Sequence, residues 1–173
     1  MTESKLRVCI RKPTMEDCQE LHSLIFRSKQ FHFPWVIHAE SSEHECKKYI
    51  NRCQNNDVEG LVVCHLDTSK IIGVVNLSQI FYGNFQNAYL SYYVDVDFAG
   101  QALMSEGVHL VIDYAFNTLK LHRVEANIQP ENKRSINLVK RLGFRKEGFS
   151  QRYLKINGEW RDHERWALTV ENW

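Results

Sequence analysis

Asp97-Phe98-Ala99-Gly100-Gln101-Ala102-Leu103-Met104 joins an apolar run over residues 89–94 to a helical pattern that extends to about Leu119. A strand, a tight turn of small residues and a helix start together make a cradle for a phosphate group. Small side chains let backbone N–H groups approach an anion, and the first turn of a helix presents partial positive charge. Two segments further along the chain add weight to the loop: Pro130-Glu131-Asn132-Lys133-Arg134-Ser135 and Arg141-Leu142-Gly143-Phe144.

Working outward, Leu6, Val8 and Ile10 alternate with Arg7, Cys9 and Arg11, which predicts a strand with one apolar face. Pro13 ends it. Thr14 and Asp17 have capping-box spacing, and Cys18, Leu21, Leu24 and Ile25 form the buried stripe of the helix they open. Phe31-His32-Phe33-Pro34-Trp35 predicts an aromatic loop, and a second helix is expected over 42–54. Strands are expected over 61–66, 71–80 and 89–94, with turns at 67–70 and at Gly83-Asn84. Val108, Val111, Ile112, Ala115 and Leu119 give the next helix its stripe. Residues 123–128 form a strand stopped by Pro130. Asn132 caps a short helix that buries Leu138, Val139 and Leu142 and ends at Gly143. Asn157-Gly158 suits a type I′ turn between two strands. No repeat, linker or low-complexity segment divides the chain, so a single α+β domain over 1–173 is expected.

The chain has 173 residues, 43% hydrophobic and 25% charged, with net charge +1. That balance sets up no global field toward nucleic acid or membrane. No apolar run is long enough to span a bilayer, and residues 1–7 lack the apolar core of a leader. The five cysteines are odd in number and contain no Cys-x-x-Cys, so reduced thiols and a cytoplasmic setting are expected. Cys46 and Cys53 share a helix face near His44, but small buried side chains explain them better than a metal site. No metal is expected.

The order of elements resembles the GCN5-related N-acetyltransferase (GNAT) fold. Within it the chain is most similar to RimJ/RimL-type ribosomal-protein-alanine N-acetyltransferases, RimJ in particular. The resemblance rests on Phe33-Pro34-Trp35, Ile72-Gly73-Val74, Tyr89-Leu90-Ser91-Tyr92 and Gly100-Gln101-Ala102-Leu103-Met104. It continues through Asn132-Lys133-Arg134-Ser135, Arg141-Leu142-Gly143-Phe144, Lys146-Glu147-Gly148 and Trp160-Arg161-Asp162-His163. It implies a mixed, mostly antiparallel sheet of about seven strands flanked by about four helices. It also implies acetyl-CoA as co-substrate, with direct transfer to the N-terminal α-amine of a ribosomal protein. In the family's loop, Gln/Arg-x-x-Gly-x-Gly/Ala, the first position is basic or amide; here it is Asp97.

The amides of residues 99–104 suit the pyrophosphate of coenzyme A, with Phe98 beside them. The resemblance implies that the pantetheine arm pairs with the strand edge at Tyr92, Tyr93 and Val94, where this strand splays from the next. An N–H on that edge, assigned to Tyr93, would stabilise the developing oxyanion. Asn132 is expected to bond the arm, and Ser135 to stand near the sulfur as donor to the departing thiolate. Many family members carry a tyrosine acid further along that helix; this chain has Val139. RimL-type enzymes use a Glu base on the strand after Gly148; here the position is Arg152, which leaves Glu125 and Asp95 as candidates.

A weak base suits some amines better than others. An α-amine of pKa ~7.8 is neutral in roughly one molecule in seven at pH 7, a lysine of ~10.4 in about one in 2,500, a gap of ~3.5 kcal/mol. That favours an α-amine acceptor. The acceptor is expected near Trp35, Tyr82 and Tyr153, with Phe31, Phe33, Phe81 and Trp160 nearby. Lys140, Arg141, Arg145 and Lys146 form a basic cluster that suits a ribose phosphate or RNA. Two alternatives differ in outcome: a small amine or amino acid as acceptor, or a non-catalytic acyl-CoA-binding or ribosome-assembly protein.

Overall fold

The computed structural model describes residues 6–36 and 42–173. The leader reading of residues 1–7 therefore falls mostly outside them. Val8–Arg11 (β1) is the first strand among the described residues, and a 3-10 turn, Met15–Asp17, leads into Cys18–His32 (α1) and Glu43–Arg52 (α2). Three strands come next: Val58–His65 (β2), Ile71–Phe81 (β3) and Asn87–Val94 (β4). Leu103–Asn117 (α3), Arg123–Ile128 (β5), Lys133–Arg141 (α4), Arg145–Ile156 (β6) and Glu159–Thr169 (β7) follow, with further 3-10 turns at Val96–Phe98 and Val170–Asn172. The strands make one sheet in the order β1-β2-β3-β4-β5-β7-β6, antiparallel throughout except between β4 and β5.

Alternation along the strands divides the core in two. One face presents Val63, Val75, Leu77, Leu90, Val124 and Trp166 to α3 and α4. The other presents Val62, Cys64, Ile71, Val74 and Tyr93 to Leu21, Leu24 and Ile25 of α1 and Ile50 of α2.

Local chemistry accounts for the boundaries. Asp17 Oδ2 accepts from Thr14 N at 2.7 Å, which fulfils the expected box. Ser42 Oγ accepts from Glu45 N at 3.2 Å and caps α2. Asn157 (φ 49°) and Gly158 (φ 85°) take the two left-handed positions of the β6–β7 turn.

Two expectations are corrected. The aromatic stretch is not all loop, because α1 runs on through Phe31 and His32. It stops at Phe33, whose extended ψ of 136° is what a following proline demands. The cysteines are not all reduced: Cys18 and Cys46 form a disulfide with Cα atoms 5.7 Å apart, tying α1 to α2. Composition carries no information about which helices pack together, so the parity argument missed this pair. Cys9, Cys53 and Cys64 are free.

Gly107 shows how closely α3 lies on the sheet. A Cβ there would meet Val63 Cγ1 at 2.6 Å and Cγ2 at 2.7 Å. Helix propensity favours Gly107→Val by a few tenths of a kcal/mol. The clash outweighs it, and the variant is expected to lose about 1–3 kcal/mol. Urea unfolding would read this as a lower midpoint at unchanged slope.

Candidate active site

The two central strands part company early. β4 and β5 pair only from Asn87↔Arg123 to Tyr89↔Glu125. Beyond that, β4 stays with β3 as far as Val94↔Gly73, while β5 stays with β7 as far as Ile128↔Glu164. A wedge opens between them. Asp95 N donates to Ile72 O at 2.8 Å, toward β3. Main-chain groups alternate along a strand, so those of Tyr93 also face β3, and those of Tyr92 and Val94 face the wedge. His32 Nε2 donates to Val94 O at 2.7 Å from that side. The oxyanion N–H assigned to Tyr93 is therefore turned away. The Tyr93 side chain is 6% exposed and packs in the second core.

A cavity of about 670 Å³ fills the wedge. Tyr92, Tyr93 and Val94 form one wall, and Phe98, Ala99, Gly100, Ala102, Met104 and Ser105 another. α4 and its cap supply Asn132, Arg134, Ser135, Asn137, Leu138 and Arg141, while Phe31, His32, Trp35 and Val36 close it from the end of α1. Among the described residues two arginines and no carboxylate line it, so it favours an anionic ligand.

The loop is shaped as its composition requires. Gly100 has φ +79° and Ala102 has φ 63°, the latter as N-cap of α3 with no side-chain bond. A methyl group cannot cap, so the first amides of α3 are left for another acceptor. Gln101 and Leu103 do not line the cavity: Gln101 Nε2 donates to Asp97 O at 3.0 Å, and Leu103 is 1% exposed in the core. Only their main chain can contribute.

On α4, Asn132 Oδ1 accepts from Ser135 N at 3.2 Å, so the cap uses the oxygen and leaves the NH2 to meet a ligand. Ser135 Oγ lies 2.6 Å from Tyr92 Oη. Burial pushes the Tyr92 phenol up to about 12. Val139 is buried in the core. Arg141 Nη2 donates to Ser105 Oγ at 3.2 Å, linking α4 to the start of α3, and Arg134 stacks over Phe31 at 4.9 Å.

Other expected residues lie elsewhere. Glu125 sits on the opposite face of the sheet, bonded to Arg123 Nε at 2.7 Å. Asp95 is fully buried under Arg27, whose Nε donates to Oδ1 at 2.9 Å. Both carboxylates are engaged with arginine, and neither lines the cavity. Arg152 is exposed at an irregularity in β6, its N donating to Asp162 Oδ1 at 2.7 Å. Of the acceptor set, Trp35 lines the cavity; Tyr82 is 54% exposed at the β3–β4 turn, and Tyr153 lies on β6 beside His163. Of the basic cluster only Arg141 reaches the cavity. Lys140 lies over Trp166, Arg145 pairs with Glu147, and Lys146 with Glu164.

Sequence reasoning missed His32, Arg134 and Asn137. The spacing 134, 137, 138, 141 is one helical stripe, which was readable; nothing local pointed to His32. Among the described residues no cysteine lines the cavity. Among them too there is no cluster of three metal-ligating side chains, and no helix long and apolar enough to cross a membrane.

Comparison with known proteins agrees with this geometry. Residues 7–145 match the Acetyltransferase (GNAT) domain model. The [ribosomal protein uS5]-alanine N-acetyltransferase of Escherichia coli is 45% identical over 107 residues, 62% of this chain and 55% of that enzyme. The solved ribosomal-protein-S5-alanine acetyltransferase of Vibrio fischeri superposes with a TM-score of 0.86 at 28% identity, covering 96% and 95% of the two chains. The fold is also that of the Vibrio cholerae spermidine N-acetyltransferase solved with CoA and spermine, with a TM-score of 0.83, 22% identity, and 96% and 97% covered. The chain belongs to the GNAT family and is an N-acetyltransferase.

Proposed function

We propose that this enzyme takes acetyl-CoA into the wedge and passes the acetyl group directly to the α-amine at a protein N-terminus, an alanine or serine of a ribosomal protein being the expected acceptor. The observation that carries the donor half is the unpaired edge of β4 beside a helix start with no side-chain cap. In this reading amides of residues 100–104 and Arg141 hold the pyrophosphate, the expected Ala99 amide being already bonded to Val96 O at 3.3 Å. The main chain of Tyr92 and the N–H of Val94 pair with the pantetheine amides as an added strand would, Val94 O being held by His32. Asn132 bonds the arm, and Ser135 stands at the sulfur. The oxyanion donor is an N–H of Tyr92 or Val94 rather than of Tyr93. The amine arrives neutral from solvent, because no carboxylate among the described residues lines the cavity to deprotonate it.

The acceptor half is supported by the 45% identity to an alanine N-acetyltransferase of a ribosomal protein. It is also supported by the lack, among the described residues, of a carboxylate lining the cavity, since an α-amine needs least help to lose its proton. The shared fold with a spermidine enzyme favours a second reading, a polyamine acceptor. A polyamine carries several cations and calls for free carboxylates, whereas Glu125 and Glu147 here are both bonded to Arg123.

Supplying labelled acetyl-CoA with an alanine-initiated peptide, spermidine and a cell extract separates the two. The expected product carries the label on an α-nitrogen, with kcat/KM for the peptide at least about tenfold above spermidine, about 1.4 kcal/mol. Label on spermidine or on lysine side chains would replace the first reading by the second or by neither.

A further inference from the structure

Tyr92 comes from β4 and Ser135 from α4, 43 positions apart, and their hydroxyls meet 2.6 Å apart inside the cavity. We propose that Tyr92 is a positioning residue: its hydroxyl donates to Ser135 Oγ and so turns the Ser135 proton toward the sulfur that leaves as coenzyme A. This rests on the proposed function, in which the thioester lies beside Ser135.

Counting protons gives the chemistry. Each hydroxyl has one to give. When Tyr92 donates to Ser135 Oγ, the Ser135 proton is directed into the cavity. In the other arrangement Ser135 donates to Tyr92, and Tyr92 donates to the Ser135 carbonyl, 3.3 Å away. That arrangement offers the cavity nothing. A sulfur gaining negative charge selects the first. No proton leaves either oxygen: burial holds the Tyr92 phenol at about 12, far above a thiol near ~8.5. The C–S bond breaks, its electron pair stays on sulfur, and the proton that finally neutralises the thiolate is the one the amine loses on acylation. The pair thus supplies a hydrogen bond where this chain has Val139 in place of an acid.

The test needs no acceptor. Coenzyme A carrying carbon-13 at the methylene next to sulfur is bound to the full-length protein, and its thiol is titrated by NMR. In the wild type the bound thiol is expected to titrate about one pH unit below its value in Tyr92→Phe, a tenfold change in thiolate fraction. Ser135→Ala and the double variant should match Tyr92→Phe, because the two hydroxyls act as one unit. Continued binding of coenzyme A by the variants shows that their sites are folded. An equal thiol pKa in wild type and Tyr92→Phe overturns the inference and leaves the donor reading standing. Failure of the wild type to bind coenzyme A overturns both. If Tyr92→Phe alone does not fold, Ser135→Ala decides: an unshifted thiol there refutes the pair.

Discussion

Gly100→Trp is expected to abolish acetyl-CoA binding while leaving a folded protein. Gly100 has φ +79°, and a Cβ there would meet nothing within 4 Å. The strain of a side chain in that region costs about 1–3 kcal/mol, which a domain of ordinary stability survives. An indole projecting from the loop would stand where the pyrophosphate is proposed to lie. Loss of the phosphate contacts should weaken binding at least about 100-fold, about 2.7 kcal/mol. Calorimetric titration with acetyl-CoA, beside a thermal melt, reads both quantities. Gly100→Ala carries the strain without the bulk and should retain most of the affinity. Normal binding by Gly100→Trp would show that the loop has been assigned the wrong job.

The second large effect is on stability. Asp95 is 0% exposed, and its carboxylate is held by Arg27, itself 36% exposed. Asp95 Oδ1 also accepts from Asp97 N at 3.2 Å, and Ser28 Oγ accepts from Val96 N at 2.9 Å. α1 therefore clamps the junction between β4 and the loop that leads into α3. Arg27→Ala would leave a buried carboxylate without its cation. Breaking such pairs costs about 3–5 kcal/mol; the low end applies, because water can partly replace an arginine this exposed. Replacing both partners with apolar residues of similar volume should recover most of the loss. Denaturant unfolding of the single and double variants measures this directly. A single variant within about 0.5 kcal/mol of wild type would mean that the clamp carries no weight.

Much of the architecture was legible because local rules wrote it. β5 spans the expected residues 123–128 before Pro130, and the α4 cap and the β6–β7 turn follow from residue type alone. The turn before α3 was legible for the same reason, since small residues before a helix start are a local signal for its left-handed backbone. What failed to show depends on contacts between distant segments. Tyr92 meets Ser135 across 43 positions, and His32 reaches the Val94 carbonyl across 62. The Cys18–Cys46 bond depends on how two helices pack. Glu125 stays out of the cavity for a related reason: it sits where β4 and β5 still pair, opposite Tyr89, and is bonded to Arg123, a placement set by sheet register rather than by its own neighbours in sequence.

The tip of the β6–β7 hairpin touches the turn after α1, where Asn157 Nδ2 donates to Pro34 O at 3.3 Å. That contact joins the far edge of the sheet to the segment whose Phe31, His32, Trp35 and Val36 close the cavity, so a movement of the hairpin tip has a direct path to the cavity's α1 wall.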